Sequence, residues 1–76
     1  SALDPISTQT IENLLIDLKK DYTIVLVTHI LRQARRVSDY IIFVYNGEVV
    51  EFGKTEDVLM NPQNPITQQY VKGYIS

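Results

Sequence analysis

Ile11, Leu14, Leu15 and Leu18 recur at the i, i+3, i+4, i+7 spacing of a helix with one apolar stripe. Asp4 followed by Pro5 supplies an N-cap and then a residue whose missing N–H costs nothing at the first helical position. The pattern predicts a helix over residues 5–20, with Lys19 and Lys20 at its electronegative end. Residues 23–28, Thr-Ile-Val-Leu-Val-Thr, are β-branched and apolar on both alternating faces, as in a strand covered on both sides within a parallel sheet. That strand is expected to end at His29. Leu31, Ala34 and Val37 then predict a second, shorter helix, with Arg32, Arg35 and Arg36 on its other side and Ser38-Asp39 closing it. Residues 40–45 read as a buried strand. Asn46-Gly47 before residues 48–52 is a strong two-residue hairpin signal, because both turn positions need positive φ. Beyond Gly53, Thr55 is expected to cap a short helix with Glu56 and Asp57 in its first turn, residues 61–65 to stop it, and a final helical segment to cover residues 67–74.

Helix, strand, helix, strand, hairpin strand, helix, helix is the order of an α/β unit with a parallel core and an antiparallel edge. A strand buried on both faces needs neighbours on both edges, so the pattern fits a segment of a larger α/β domain better than a complete one. A chain of 76 residues buries only about 60% of the surface its unfolded form exposes, and its own stability is expected to be marginal. The unpaired sheet edge left by a missing strand predicts self-association of the isolated chain.

Composition narrows the function classes. Seven Lys and Arg against nine Asp and Glu, spread along the chain, give a formal net charge of −2. That leaves no basic footprint for nucleic acid and no polybasic membrane patch. The chain has no Cys, which removes disulfides and thiolate metal sites and favours a reducing compartment, and its single His cannot form a zinc cluster by itself. The longest apolar run, residues 40–45, is far short of the ~20 residues of a membrane-spanning helix.

His29 is the most informative candidate, because ligands in open α/β sheets bind just beyond the carboxyl ends of the strands. An imidazole there suits a phosphate oxygen or an attacking water, while position alone favours the plainer reading of a strand-ending histidine that donates to a nearby carbonyl. Asp4 reads either as a plain N-cap or as a functional carboxylate. The three arginines read as a solvated helix face, and the pairs Asp17/Asp21, Glu48/Glu51 and Glu56/Asp57 as exposed or helix-end charges. The five Tyr fit core and edge packing rather than a base-stacking platform. Neither G-x-x-x-x-G-K-[ST] nor G-x-G-x-x-G occurs, so the sequence contains no complete nucleotide site.

Taken in order, Ser1-Ala2-Leu3-Asp4-Pro5, Thr28-His29, Ala34, Asp39 and Gly47-Glu48-Val49-Val50-Glu51-Phe52-Gly53-Lys54-Thr55 resemble the C-terminal portion of the ATP-binding subunits of ABC transporters. Ser1, Ala2, Leu3 and Asp4 are similar to that family's D-loop, Thr28-His29 to its switch-histidine motif, and the glycine-flanked stretch to the hairpin that follows. Leu3-Asp4-Pro5-Ile6-Ser7-Thr8, Asp21-Tyr22-Thr23-Ile24-Val25, Arg36-Val37-Ser38-Asp39 and Thr67, Tyr70, Val71 and Gly73 are similar to the phosphate-importing subclass.

The resemblance implies a P-loop, ABC-type nucleotide-binding domain of parallel strands, a β-hairpin and flanking helices, with residues 1–76 as one partial domain from the D-loop onward. It implies a peripheral subunit on the cytoplasmic face of the cell membrane. That subunit would pair head to tail with a second copy around Mg-ATP and drive phosphate import through membrane-spanning permease subunits. His29 would contact the γ-phosphate, and Ser1, Ala2, Leu3 and Asp4 would cross to the partner copy. The family's phosphate loop, signature, magnesium-binding aspartate and catalytic glutamate all precede Ser1, so this segment alone is expected neither to hold Mg-ATP nor to hydrolyse it. The rival reading is a noncatalytic interaction module that retains only the tail of the fold.

Overall fold

Six elements follow one another along residues 4–75, the part that this computed structural model describes. They are α1 (Pro5–Leu18), α2 (Leu31–Val37), β1 (Tyr40–Tyr45), β2 (Glu48–Lys54), α3 (Thr55–Met60) and α4 (Pro65–Ile75). The two strands form an antiparallel hairpin. Its turn has Asn46 at φ 50° and Gly47 at φ 77°, the left-handed pair whose twist matches that of the flanking strands. From the turn, Tyr45 faces Glu48 and Val44 faces Val49; β2 then carries Val50 as an extra residue, so that Phe43 faces Glu51 and Ile42 faces Phe52.

One face of the hairpin meets the helices. Phe43 and Tyr70 meet edge to face at 5.1 Å, and a Cβ on Gly53 would stand 3.3 Å from Val58 Cγ2, so the bare backbone there lets α3 close on the strand. Val58, Leu59 and Val71, with Ala34 and Val37 from α2, make a small core beside the buried Thr55 and Thr67. The other face lies open: Tyr40, Ile42, Val44, Val49 and Phe52 are exposed, with the Tyr40 and Phe52 rings stacked at 6.0 Å.

Glu51 fastens the hairpin to α4. Its Oε2 accepts the Gln63 N–H at 2.9 Å and its Oε1 the Asn64 N–H at 3.0 Å. Asn64 donates its side-chain amide to Val50 O at 3.1 Å and accepts the Ile66 N–H at 2.8 Å, capping α4. This cap starts the helix at Pro65, two residues before the expected position. Glu51 is therefore a half-buried tie, not the exposed charge its sequence position suggests.

Several expectations are corrected. Residues 23–28 form no strand, and Val25 and Val27 are 88% and 93% exposed. β propensity alone does not hold a strand; a hydrogen-bonded neighbour does, and among the described residues the β1–β2 hairpin takes no third member. The parallel core is accordingly absent from the described residues, which show helices packed on an antiparallel pair. The apolar stripe of α1 also faces outward: Ile11, Leu14 and Leu18 are exposed and only Leu15 is half-buried, because the side of α1 that meets α2 carries Glu12 and Lys19. Thr55 is not a cap but the first residue of α3. Its hydroxyl donates to Ser38 O at 2.9 Å and its N–H to Asp39 O at 3.1 Å. No described helix is long and apolar enough to cross a membrane.

Burial pushes the Glu51 carboxyl up, but the N–H groups of Gln63 and Asn64 outweigh it and leave the group below its ordinary 4.5. A carboxyl lowered by folding contributes stability above its unfolded pKa and loses that contribution as pH falls through the folded value. Glu51→Gln is expected to lower the thermal midpoint at neutral pH by about 5 °C, with the gap to the wild type closing on acidification below the usual carboxylate range. Thermal melts of both proteins across pH check this.

Candidate functional site

Asp4 caps α1 with both carboxylate oxygens. Oδ1 accepts the Ser7 N–H at 2.8 Å and Oδ2 the Ser7 hydroxyl at 2.9 Å. The Ser7 N–H, and then its hydroxyl, hold the exposed Asp4 carboxyl below its ordinary 3.8. The capping role is thus realised, and it leaves the carboxylate charged at the tip of the helix. Ser1, Ala2 and Leu3 lie outside the described residues.

His29 sits at a bend between the irregular segment 23–28 and α2, immediately before Ile30, the N-cap of that helix. The bend is braced from both sides of the histidine: the Thr28 hydroxyl accepts the Ile30 N–H at 3.0 Å, a turn that Thr forms readily with a backbone two residues on. The imidazole is exposed and makes no hydrogen bond or ion pair among the described residues, so the expected donation to a nearby carbonyl does not occur. It is available to a ligand.

Charge pairs join the helices that carry these two residues. The Arg36 guanidinium donates Nε to Glu12 Oε1 at 2.8 Å and Nη2 to Oε2 at 2.9 Å, a parallel fork on a carboxylate that is only 4% exposed. Those bonds hold Glu12 below its ordinary 4.5 against the upward push of burial. Further along, Lys19 reaches Val37 O and Asp39 Oδ1, both at 3.2 Å. Arg35 pairs with Glu56 at 3.1 Å. The arginines of α2 are therefore not a plain solvated face: Arg35 and Arg36 each fasten α2 to another helix.

A cleft of about 540 Å³ opens between α1 and α2, lined by Gln9, Glu12, Asn13, Gln33, Arg32 and Arg36 among others. Neither Asp4 nor His29 lines it, and among the described residues no hydrogen bond or ion pair joins the two. Among the described residues no three His, Cys, Asp or Glu side chains gather as a metal site. Among the described residues, the exposed His29 imidazole is a group suited to a phosphate oxygen. Sequence reasoning passed over Glu12, whose place beside the apolar stripe of α1, between Ile11 and Leu14, was the available signal.

No protein-family model matches the chain. Curated proteins do. The phosphate import ATP-binding protein PstB of Thermotoga maritima is 52% identical over 75 residues, which is 99% of this chain and 30% of that protein. The corresponding proteins of Mycoplasma mycoides and Mycoplasma capricolum are 55% and 53% identical over 73 residues, 96% of this chain and 32% and 27% of their own lengths. The chain spans about a third or less of the relatives it matches.

Asp4→Ala is expected to release the Ser7 amide and fray the first turn of α1, whereas Asp4→Asn keeps an acceptor and holds the turn. Because folding lowers the Asp4 pKa, the ionised cap's advantage over Asn is present above the ordinary Asp range and lost below it. Amide hydrogen exchange at Ser7 as a function of pH reads both effects.

Proposed function

We propose, from a chain that belongs with the phosphate import ATP-binding proteins, that residues 1–76 form the C-terminal segment of the nucleotide-binding domain of an ABC importer's ATP-binding subunit. The carrying observation is identity of 52–55% along 96% or more of the chain. In the complete subunit, ATP bound with magnesium supplies the phosphoryl group whose transfer to water drives uptake of inorganic phosphate. His29 is the switch histidine: it donates a hydrogen bond to the γ-phosphate, where charge develops during transfer. Its exposed, unpartnered imidazole on a braced bend supports that role.

Asp4, with Ser1, Ala2 and Leu3, forms the D-loop that reaches a second copy of the subunit. The cap on Ser7 holds the Asp4 carboxylate at the start of α1 for that contact. The subunit is peripheral, on the cytoplasmic face of the membrane, and works through membrane-spanning permease subunits. The domain's parallel strands include residues 23–28, which find their neighbours in the rest of the domain. The segment alone binds no Mg-ATP and hydrolyses none.

In the ATP-binding protein that carries this chain, His29→Ala is expected to lower the phosphate-coupled ATP turnover number by about a hundredfold, the scale of losing one donor to developing charge. Unchanged turnover would overturn the assignment. The isolated chain is expected to self-associate through its uncovered apolar faces and sheet edges. Light scattering over a concentration series tests this, and a monodisperse monomer at high concentration would refute it.

A further inference from the structure

α1 and α2 carry the two site residues at their N-terminal ends. Asp4 caps α1, and His29 precedes the N-cap of α2. Eight residues on from Asp4 stands Glu12, and seven on from His29 stands Arg36, about two helical turns in each case. There the guanidinium fork closes on the nearly sealed carboxylate at 2.8 and 2.9 Å. Lys19, the C-cap of α1, makes the second fastening at Val37 O and Asp39. Two separated fastenings fix both the rotation and the slide of one helix against the other; a single one leaves a pivot.

The chemistry of the main fastening suits register rather than adhesion. An apolar helix contact tolerates a shift of a fraction of a turn, whereas a bidentate fork from the half-exposed Arg36 onto the buried Glu12 carboxylate is satisfied in one alignment and is lost from a carboxylate that water hardly reaches in any other. The apolar stripe of α1, Ile11, Leu14 and Leu18, is exposed and takes no part.

We infer that Glu12 and Arg36 are positioning residues, whose fork holds the Asp4 cap and the His29 bend in one fixed relation, so that a ligand that moves either end moves the other. The inference rests on the proposed roles of Asp4 and His29. A carboxylate and a guanidinium that touch no ligand thereby set the spacing of two groups that do.

The test has two arms. In the ¹⁵N-labelled chain, Glu12→Gln is expected to shift the Ser7 amide, which reports the Asp4 cap, and the Ile30 amide, which reports the Thr28 brace, by more than a linewidth. The amides of β1, β2 and α4 stay in place. Arg36→Lys, which keeps the charge and loses the fork, shifts the same two amides part of the way. Unmoved Ser7 and Ile30 amides in a folded Glu12→Gln overturn the inference; if that variant loses its fold, Arg36→Lys decides by the same comparison.

In the ATP-binding protein that carries this chain, Glu12→Gln is expected to lower kcat about tenfold with KM for ATP unchanged, as a small misplacement of a group at the reacting atoms does. Wild-type kcat there overturns the inference even where His29→Ala abolishes turnover. Full turnover in His29→Ala instead overturns the proposed site and leaves the amide result to stand on its own.

Discussion

A carboxylate as deeply covered as that of Glu12 stays ionised only with a cation locked onto it, and this requirement decides where α1 can lie. Taking the Arg36 guanidinium away would strip the fork from a buried carboxylate in the α1–α2 contact and leave it to Gln33 and the more distant charge of Arg32, at a greater cost than breaking an exposed pair. α1 packs chiefly on α2, and α2 in turn on α3. The chain of support therefore runs from the hairpin and its helices, through α2 and the fork, to the helix that Asp4 caps.

The core that anchors the other end is small. Val58, Leu59 and Val71 are sealed between α3, α4 and one hairpin face, while the outer hairpin face, the α1 stripe and residues 23–28 present apolar side chains to water. Scattered exposed hydrophobic residues need no explanation, but three apolar surfaces on a chain this short do. In the domain proposed for the complete subunit, these are the surfaces that a parallel sheet and its helices would cover.

Features set by neighbours in sequence were legible before the structure. Asp4-Pro5 fixes the start of α1, and Asn46-Gly47 fixes the hairpin turn, because each depends on a few adjacent residues. Features set by distant partners were not. Residues 23–28 have every property of a buried strand except a neighbour to pair with. Glu12 and Arg36 are 24 positions apart, and no local pattern couples them. His29 was legible as a candidate from its place after an apolar run, although the reason for its exposure is different: a bend braced by Thr28 rather than the end of a ladder.

The extra residue in β2 has a consequence for the strand's parity. Side chains alternate along a strand, so counting regularly from the turn, with Val44 opposite Val49, would place Val50 opposite Phe43 and Glu51 opposite Ile42 on the open face. Val50 slips the count by one. Glu51 is thereby turned to the inner side, within reach of the Gln63 and Asn64 amides, and Phe52 is turned outward beside Tyr40. The strand is in effect two half-strands out of phase, one keyed to the Asn46-Gly47 turn and the other to α4. Pairing Val50 regularly instead of slipping past it would leave the turn intact and aim the carboxylate that holds the last helix into water.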